Sequence, residues 1–263
     1  MIQVYPTLYT MNLSLNQIKG GQWTWVGFDN FNRLLSSSDL INALQKTAAF
    51  SGSFAVLVVV LAMCIALLLD QRTRLTSVYI TLLFIPWVLS DTVTGTMWRW
   101  MFQQDYGLIQ TALNPLLNNY TLLSNDIGAM AIVIAASVWR SLPFNSLLLL
   151  GGLQTVSSEI KEAASIDGAS SWQSFWSITI PIISPTLLVV ILLTSISGIN
   201  ALGSILAITG GGPGSATVTV SMLLYREAWK YGNFGGAATI AVLLFCINVV
   251  LTIFYFRAVK VED

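Results

Sequence analysis

Histidine is absent from this 263-residue chain, cysteine occurs twice, and only 9% of the residues are charged. Each shortage removes a class of function. Without histidine, the most frequent general base and the commonest metal ligand are both missing. Cys64 and Cys246 each lie in an apolar run, which leaves no disulfide framework and no Cys/His metal site, and both are expected to fill core space. The 12 basic and 12 acidic residues cancel, so no cationic surface points to nucleic acid. No Gly-x-x-x-x-Gly-Lys phosphate loop occurs, and ATP hydrolysis is not expected on this chain. What the chain has in excess is apolar surface. Soluble domains carry about 25% charged residues, so 55% apolar with 9% charged implies an integral membrane protein in a lipid bilayer.

A helix needs about 20 apolar residues to cross the hydrocarbon. Five stretches qualify: residues 48–69, 78–98, 129–150, 182–205 and 237–256. The second contains Pro86 and Asp91, and the third Arg140 and Pro143. Short loops rich in Lys and Arg mark the cytoplasmic side. The loop with Arg72 and Arg74, the stretch with Lys161, and the tail with Arg257 and Lys260 are therefore placed there. Trp23, Trp25, Trp98, Trp100 and Trp229 then fall on the outer side, where some suit an interfacial belt, with Trp172 and Trp176 at the inner interface.

Residues 161–185, KEAASIDGASSWQSFWSITIPIISP, interrupt this pattern. A charged side chain at the centre of a spanning helix costs about 2.5–3.5 kcal/mol, so Lys161, Glu162 and Asp167 belong in water. Ser157 or Ser158 can cap a short helix with Glu159 and Glu162 in its first turn. Gly168 suits the left-handed position that ends it. Ser170 or Ser171 can cap a second helix over residues 172–180, and Pro181 and Pro185 fit the start of the next span. Small Ala163 and Ala164 admit close approach by another surface.

Glu162-Ala163-Ala164, three residues, Gly168, nine residues and Ile178-Thr179-Ile180-Pro181 resemble the EAA loop of permease subunits in binding-protein-dependent ABC importers, with Ile180 where that pattern usually has Leu. WVGFDNFNRLL, FIPWVLSDTVTGTMWRWMF, GGLQTVSSEIKEAASIDGAS and ITGGGPGSATVTV occur in the order seen in the sugar branch, the maltose-permease type. The resemblance implies an all-α integral membrane chain with the type I ABC importer permease fold. One permease domain over residues 1–263 is expected: an outer segment 1–46, a helical core 47–256 containing the coupling loop 154–180, and a cytoplasmic tail 257–263. The stretch MIQVYPTLYTMNLSL is similar to the outer end of a first span, so five full spans plus a partial one are expected.

The same resemblance assigns Glu162, Ala163, Ala164, Asp167, Gly168 and Ala169 to coupling with a cytoplasmic ATPase. It implies these partners: a second homologous permease, two ABC ATPase subunits that hold ATP and Mg, and an extracytoplasmic solute-binding protein. The membrane would be the bacterial or archaeal cytoplasmic membrane, and the solute a carbohydrate or similar polyhydroxylated molecule. Polar groups at membrane depth are costly and mark substrate pathways. ASVWRSLPFNS supplies Ser137, Arg140, Ser141, Phe144 and Asn145, of which the first four match positions that line the sugar site in maltose-type permeases. TSISGIN supplies Thr194, Ser197, Gly198 and Asn200, of which Thr194 and Gly198 match lining positions. Arg140 needs water, an anion or Asp91 beside it. Another ABC permease, for a phosphate ester or polyamine, is the nearest alternative. An ion-coupled secondary carrier would have Asp91 as its candidate intramembrane acid.

Overall fold

The computed structural model describes residues 4–19, 22–71, 74–117 and 120–258. Arg72, Lys260 and most of the expected tail lie outside these. Helix α1 (Val4–Ser14) leads into an antiparallel hairpin of β1 (Asn16–Lys19) and β2 (Gln22–Trp25), then α2 (Asp29–Leu35). The membrane-scale part comprises α3 (Ser38–Asp70), α4 (Thr76–Val88), α5 (Asp91–Met101), α6 (Leu108–Leu117) and α7 (Asp126–Leu153). It continues through α8 (Ser158–Ile166), α9 (Ser171–Ser174), α10 (Ile180–Ile199), α11 (Gly203–Ile208), α12 (Val220–Tyr225) and α13 (Phe234–Ala258). Among the described residues four helical rods are long and apolar enough to cross a membrane: Ser38–Asp70, Asp126–Leu153, Ser171–Ile199 and Phe234–Arg257. A fifth crossing needs α4 and α5 together.

That fifth crossing corrects the expected continuous span over 78–98. Helices α4 and α5 meet at 93°. Leu89 and Ser90 are extended, with ψ of 140° and 155°, and the Ser90 hydroxyl caps α5 by accepting the amide of Val93 at 3.2 Å. Asp91 opens α5, where a negative charge meets the positive end of its dipole. The cap at Ser90 and the extended Leu89 thus break the helix inside the apolar run. The span expected over 182–205 also shifts. A rod begins at Ser171, passes through a π-helical turn at Phe175–Thr179, and ends at Ile199. Pro181 lacks the amide that would bond four residues back, which loosens the turn before it. The second polar helix is therefore continuous with the membrane rod, and residues 203–208 belong to the separate α11.

Helix α3 has 33 residues, about 50 Å at 1.5 Å per residue, so it outruns the bilayer. Its apolar run was expected to start at 48, but Ser37 caps it at residue 38 by accepting the amide of Asp39 at 3.1 Å. The core is two larger clusters along α3 and α7, with a small third one of Phe54, Val58 and Val138. Of the larger two, one joins Ala43, Phe50, Ile132, Ala136, Ile205 and Ile240; the other joins Ala62, Ala66, Leu149, Leu153, Ile183 and Val190. Fully buried Ala62, Ala66 and Ala136 let backbones approach where lipid provides little hydrophobic drive. Cys64 and Cys246 are exposed. They stand on outward faces of α3 and α13, which corrects the expectation that they fill the core.

Ahead of α3, buried Asn30 donates its amide to the carbonyls of Ser14 and Asn16 at 2.8 and 3.0 Å. Thr239 of α13 donates its hydroxyl to the same Ser14 carbonyl at 3.3 Å. A Cβ at Gly235 would collide with the Asn16 carbonyl, so glycine is what lets the hairpin lie against α13. Trp23, Trp25, Trp100 and Trp229 are exposed, whereas Trp98 is half-buried between Phe102 and Trp139.

Candidate functional site

Two adjoining cavities, about 430 and 330 Å³, open beside the break between α4 and α5. They share Phe54, Arg140, Ser141 and Ser197 and form one hollow between α3, α7, α10 and the α4–α5 corner. Ser137, Arg140, Ser141, Phe144, Asn145, Thr194, Ser197 and Asn200 all line it. They reach it from two stretches 50 to 60 residues apart because α7 and α10 pack side by side. Gly198 does not face it. A Cβ there would stand 2.9 Å from the Ser51 Cβ and 3.0 Å from its Cα, so this glycine seats α10 against α3 and is not among the residues that line the hollow.

The polar groups are not equivalent. Among the described residues the hydroxyls of Ser141 and Ser197 have no hydrogen-bond partner and face the hollow unpaired. Thr194 is buried and donates to its own helix at the carbonyls of Val190 and Ile191, 2.8 and 3.0 Å away. Ser137 is 3.0 Å from the Ser204 hydroxyl. Asn145 donates to the Ser141 carbonyl at 2.8 Å, and its buried Oδ1 has no partner among the described residues. Arg140 reaches both sides of the helix break: Nε donates to the Leu89 carbonyl at 2.8 Å, and Nη1 lies 3.1 Å from Asp91 Oδ1. Of the partners the sequence left open for Arg140, water, an anion or Asp91, the fold supplies Asp91, and both residues still line the hollow.

One wall is aromatic. Phe144 stacks on Trp87 of α4 with ring centres 5.7 Å apart and planes 11° from parallel. Trp87, Phe50, Phe54 and Ser204 line the hollow without having been singled out in the sequence. Aromatic residues in apolar runs carry no marker that separates a lining position from packing. Asn248 was also missed, yet it is legible: an amide in the middle of α13 is costly in lipid. It exchanges amide hydrogen bonds with Asn200 at 3.1 and 3.2 Å.

At the far end of α3 and α7 stands the polar turn. Ser157 is the residue that caps α8, accepting the amide of Ile160 at 3.4 Å. Gly168 has φ of +79°; its amide bonds Ser165 at 3.1 Å and that of Ala169 bonds Ala164 at 3.0 Å. This is the paired closure that needs a left-handed residue. Ser170 caps α9 in a reciprocal box with Gln173. The two alanines differ: Ala164 is buried inward, whereas Ala163 is exposed with Glu162, Asp167 and Gly168, and Ala169 is half-buried. Ile160 and Ile166 are exposed at 42% and 87%, so α8 presents apolar surface outward as well as charge. The glycine-rich turn is self-contained: Gly210, Gly211 and Gly214 have positive φ, the Thr209 and Thr217 hydroxyls are 2.7 Å apart, and Arg226 donates to the Gly210 carbonyl at 3.3 Å.

Comparison with known proteins gives the chain's family. A trehalose/maltose transport system permease protein of Thermococcus litoralis is 33% identical over 234 residues, covering 89% of this chain and 79% of that protein. An sn-glycerol-3-phosphate transport system permease protein of Rhizobium meliloti is 32% identical over 237 residues, covering 90% and 81%. In fold the chain is similar to a crystal structure of a bacterial ABC transporter involved in import of the acidic polysaccharide alginate. That match has TM-score 0.85 and 19% identity, and covers all of this chain and 91% of that one. An inward-facing methionine ABC transporter matches with TM-score 0.59 and 14% identity, covering 84% and 94%. The model of the binding-protein-dependent transport system inner membrane component matches residues 72–260, and the chain belongs to that family.

Proposed function

We propose that this chain forms half of the translocation pathway of an ATP-driven importer for a carbohydrate or similar polyhydroxylated solute. The other half comes from a second, homologous permease. Two ATPase subunits supply the nucleotide sites, and an extracytoplasmic binding protein delivers the solute at the cytoplasmic membrane of a bacterium or archaeon. The observation that carries this reading is the hollow: free hydroxyls of Ser141 and Ser197 line the same cavity as the Trp87–Phe144 stack. A sugar ring offers hydroxyls at its rim and an apolar face, and that combination matches both walls.

In this account the exposed face of α8, with Glu162, Ala163, Asp167 and Gly168, docks on the ATPase. Closure of the ATPase pair on ATP pushes the α8–α9 turn. Because α9 is continuous with the α10 rod, the push reaches Thr194 and Ser197 without crossing a loop, and the hollow switches the side to which it opens. A broken helix pair, α4–α5, beside a polar hollow is the kind of geometry that alternating access uses. The test is assembly: tagged and purified from its own cells, the chain is expected in a complex of two permeases and two ATPases. A stable monomer that transports by itself overturns the proposal.

A further inference from the structure

The geometry points to Asp91 as a specificity-determining residue: we infer that it cancels the charge of Arg140, so that this half of the pathway takes an uncharged saccharide and disfavours phosphorylated or carboxylated ones. The inference deepens the carbohydrate reading and rests on it. Among the described lining residues of the two cavities, Arg140 and Asp91 are the charged ones; every other polar group is a hydroxyl or amide. The carboxylate and guanidinium are 3.1 Å apart, with side chains 53% and 28% exposed. Both therefore border the hollow instead of being sealed from it.

The pair is held by more than its own attraction. The Leu89 carbonyl takes Arg140 Nε at 2.8 Å, fixing the guanidinium at the helix break. On the other side, a Cβ at Gly203 would stand 2.6 Å from the Asp91 Cβ, so glycine in α11 leaves the space in which Asp91 sits. An anionic solute entering here meets a cation already engaged and a carboxylate half-open to the cavity. It must compete with Asp91 for the guanidinium while enduring that carboxylate's repulsion, and arranged repulsion of this kind is how sites reject near-relatives. A neutral sugar needs only hydrogen bonds. The relatives include permeases named for trehalose/maltose and for sn-glycerol-3-phosphate, so family membership alone leaves the solute's charge open.

Two measurements test this. In the first, the solute-binding protein that stimulates this complex is titrated with neutral di- and oligosaccharides, sugar phosphates, uronates, polyamines and amino acids. A neutral saccharide is the expected cargo. A sugar phosphate or uronate overturns the inference and leaves the carbohydrate reading standing, whereas a polyamine or amino acid overturns the carbohydrate reading itself. In the second, the full complex carrying Asp91→Asn imports that cargo in proteoliposomes with inorganic phosphate or sulfate as competitor. Freed of its counter-charge, Arg140 should bind the inorganic anion and lower its inhibition constant about tenfold or more relative to the parent, while Asp91→Glu stays close to the parent. Equal anion sensitivity in parent and Asp91→Asn complexes overturns the role of Asp91, because loss of structure would slow import without making it anion-sensitive. If the Asp91→Asn complex does not assemble, the cargo titration decides.

Discussion

Lys161 of α8 places its Nζ 3.2 Å from Oδ2 of Asp70, the last residue of α3. The pair ties the polar turn to the helix that carries Phe54 into the hollow, 16 residues or about 24 Å away along the axis. With side chains 42% and 24% exposed, such a pair contributes only about 0.2–1 kcal/mol. Lys161→Glu is expected to slow uptake severalfold at most, and Asp70→Lys in the same chain to restore it. Initial uptake rates of the parent, both single variants and the double variant check this.

Gly168→Val is expected to abolish transport and weaken co-purification of the ATPase. An added Cβ meets no atom within 4 Å, so the cost is the left-handed backbone at φ +79°, about 1–2 kcal/mol, which displaces the turn as a unit. Gly168→Asn, better tolerated in that conformation, should keep most of the activity. Glu162→Lys, on the exposed face, should also lose transport and substrate-stimulated ATP hydrolysis while the binding protein still holds its solute.

Ser141→Trp is expected to abolish uptake and leave the purified complex intact. Ser141 borders both cavities, so an indole there occupies solute space far from the α8 surface. Uptake at the parental rate in an assembled complex would place Ser141 outside the pathway.

Trp87→Ala should raise the KM for uptake roughly threefold to tenfold, the equivalent of about 0.5–1.5 kcal/mol for a lost aromatic contact. Because Phe144 rests on Trp87, removing either ring disturbs the same wall. The double variant is expected to lose less than the product of the two single effects.

Gly198→Val is expected to lower the thermal stability of the complex by overpacking α10 against Ser51, at about 1–3 kcal/mol. A variant that transports poorly yet melts like the parent would return Gly198 to the pathway.

The polar turn was almost fully legible in the sequence because its signals are local. Ser157, Gly168 and Ser170 act on backbone within a few residues, and each does in the structure what its chemistry requires. Most of the hollow was legible too, since Ser, Arg and Asn in apolar stretches are conspicuous. Besides the aromatic lining of Phe50, Phe54 and Trp87, two features were hidden. The α4–α5 break lies in an apolar run whose composition suits a straight helix, and its cap, Ser90, reads like any serine until Leu89 is seen to be extended. The seat of Gly198 was hidden too: it was placed in the pathway by resemblance, and the surroundings of a residue without a side chain depend on which helix approaches it, here α3 from far away in sequence.

The most direct test of the central claim is solute accumulation in proteoliposomes that hold the complex, with the binding protein outside and ATP inside. Accumulation that requires both ATP and the binding protein, and that disappears with Ser141→Trp, is the predicted result. Accumulation that follows an imposed proton or sodium gradient without ATP would contradict it and identify an ion-coupled carrier, with Asp91 as its intramembrane acid.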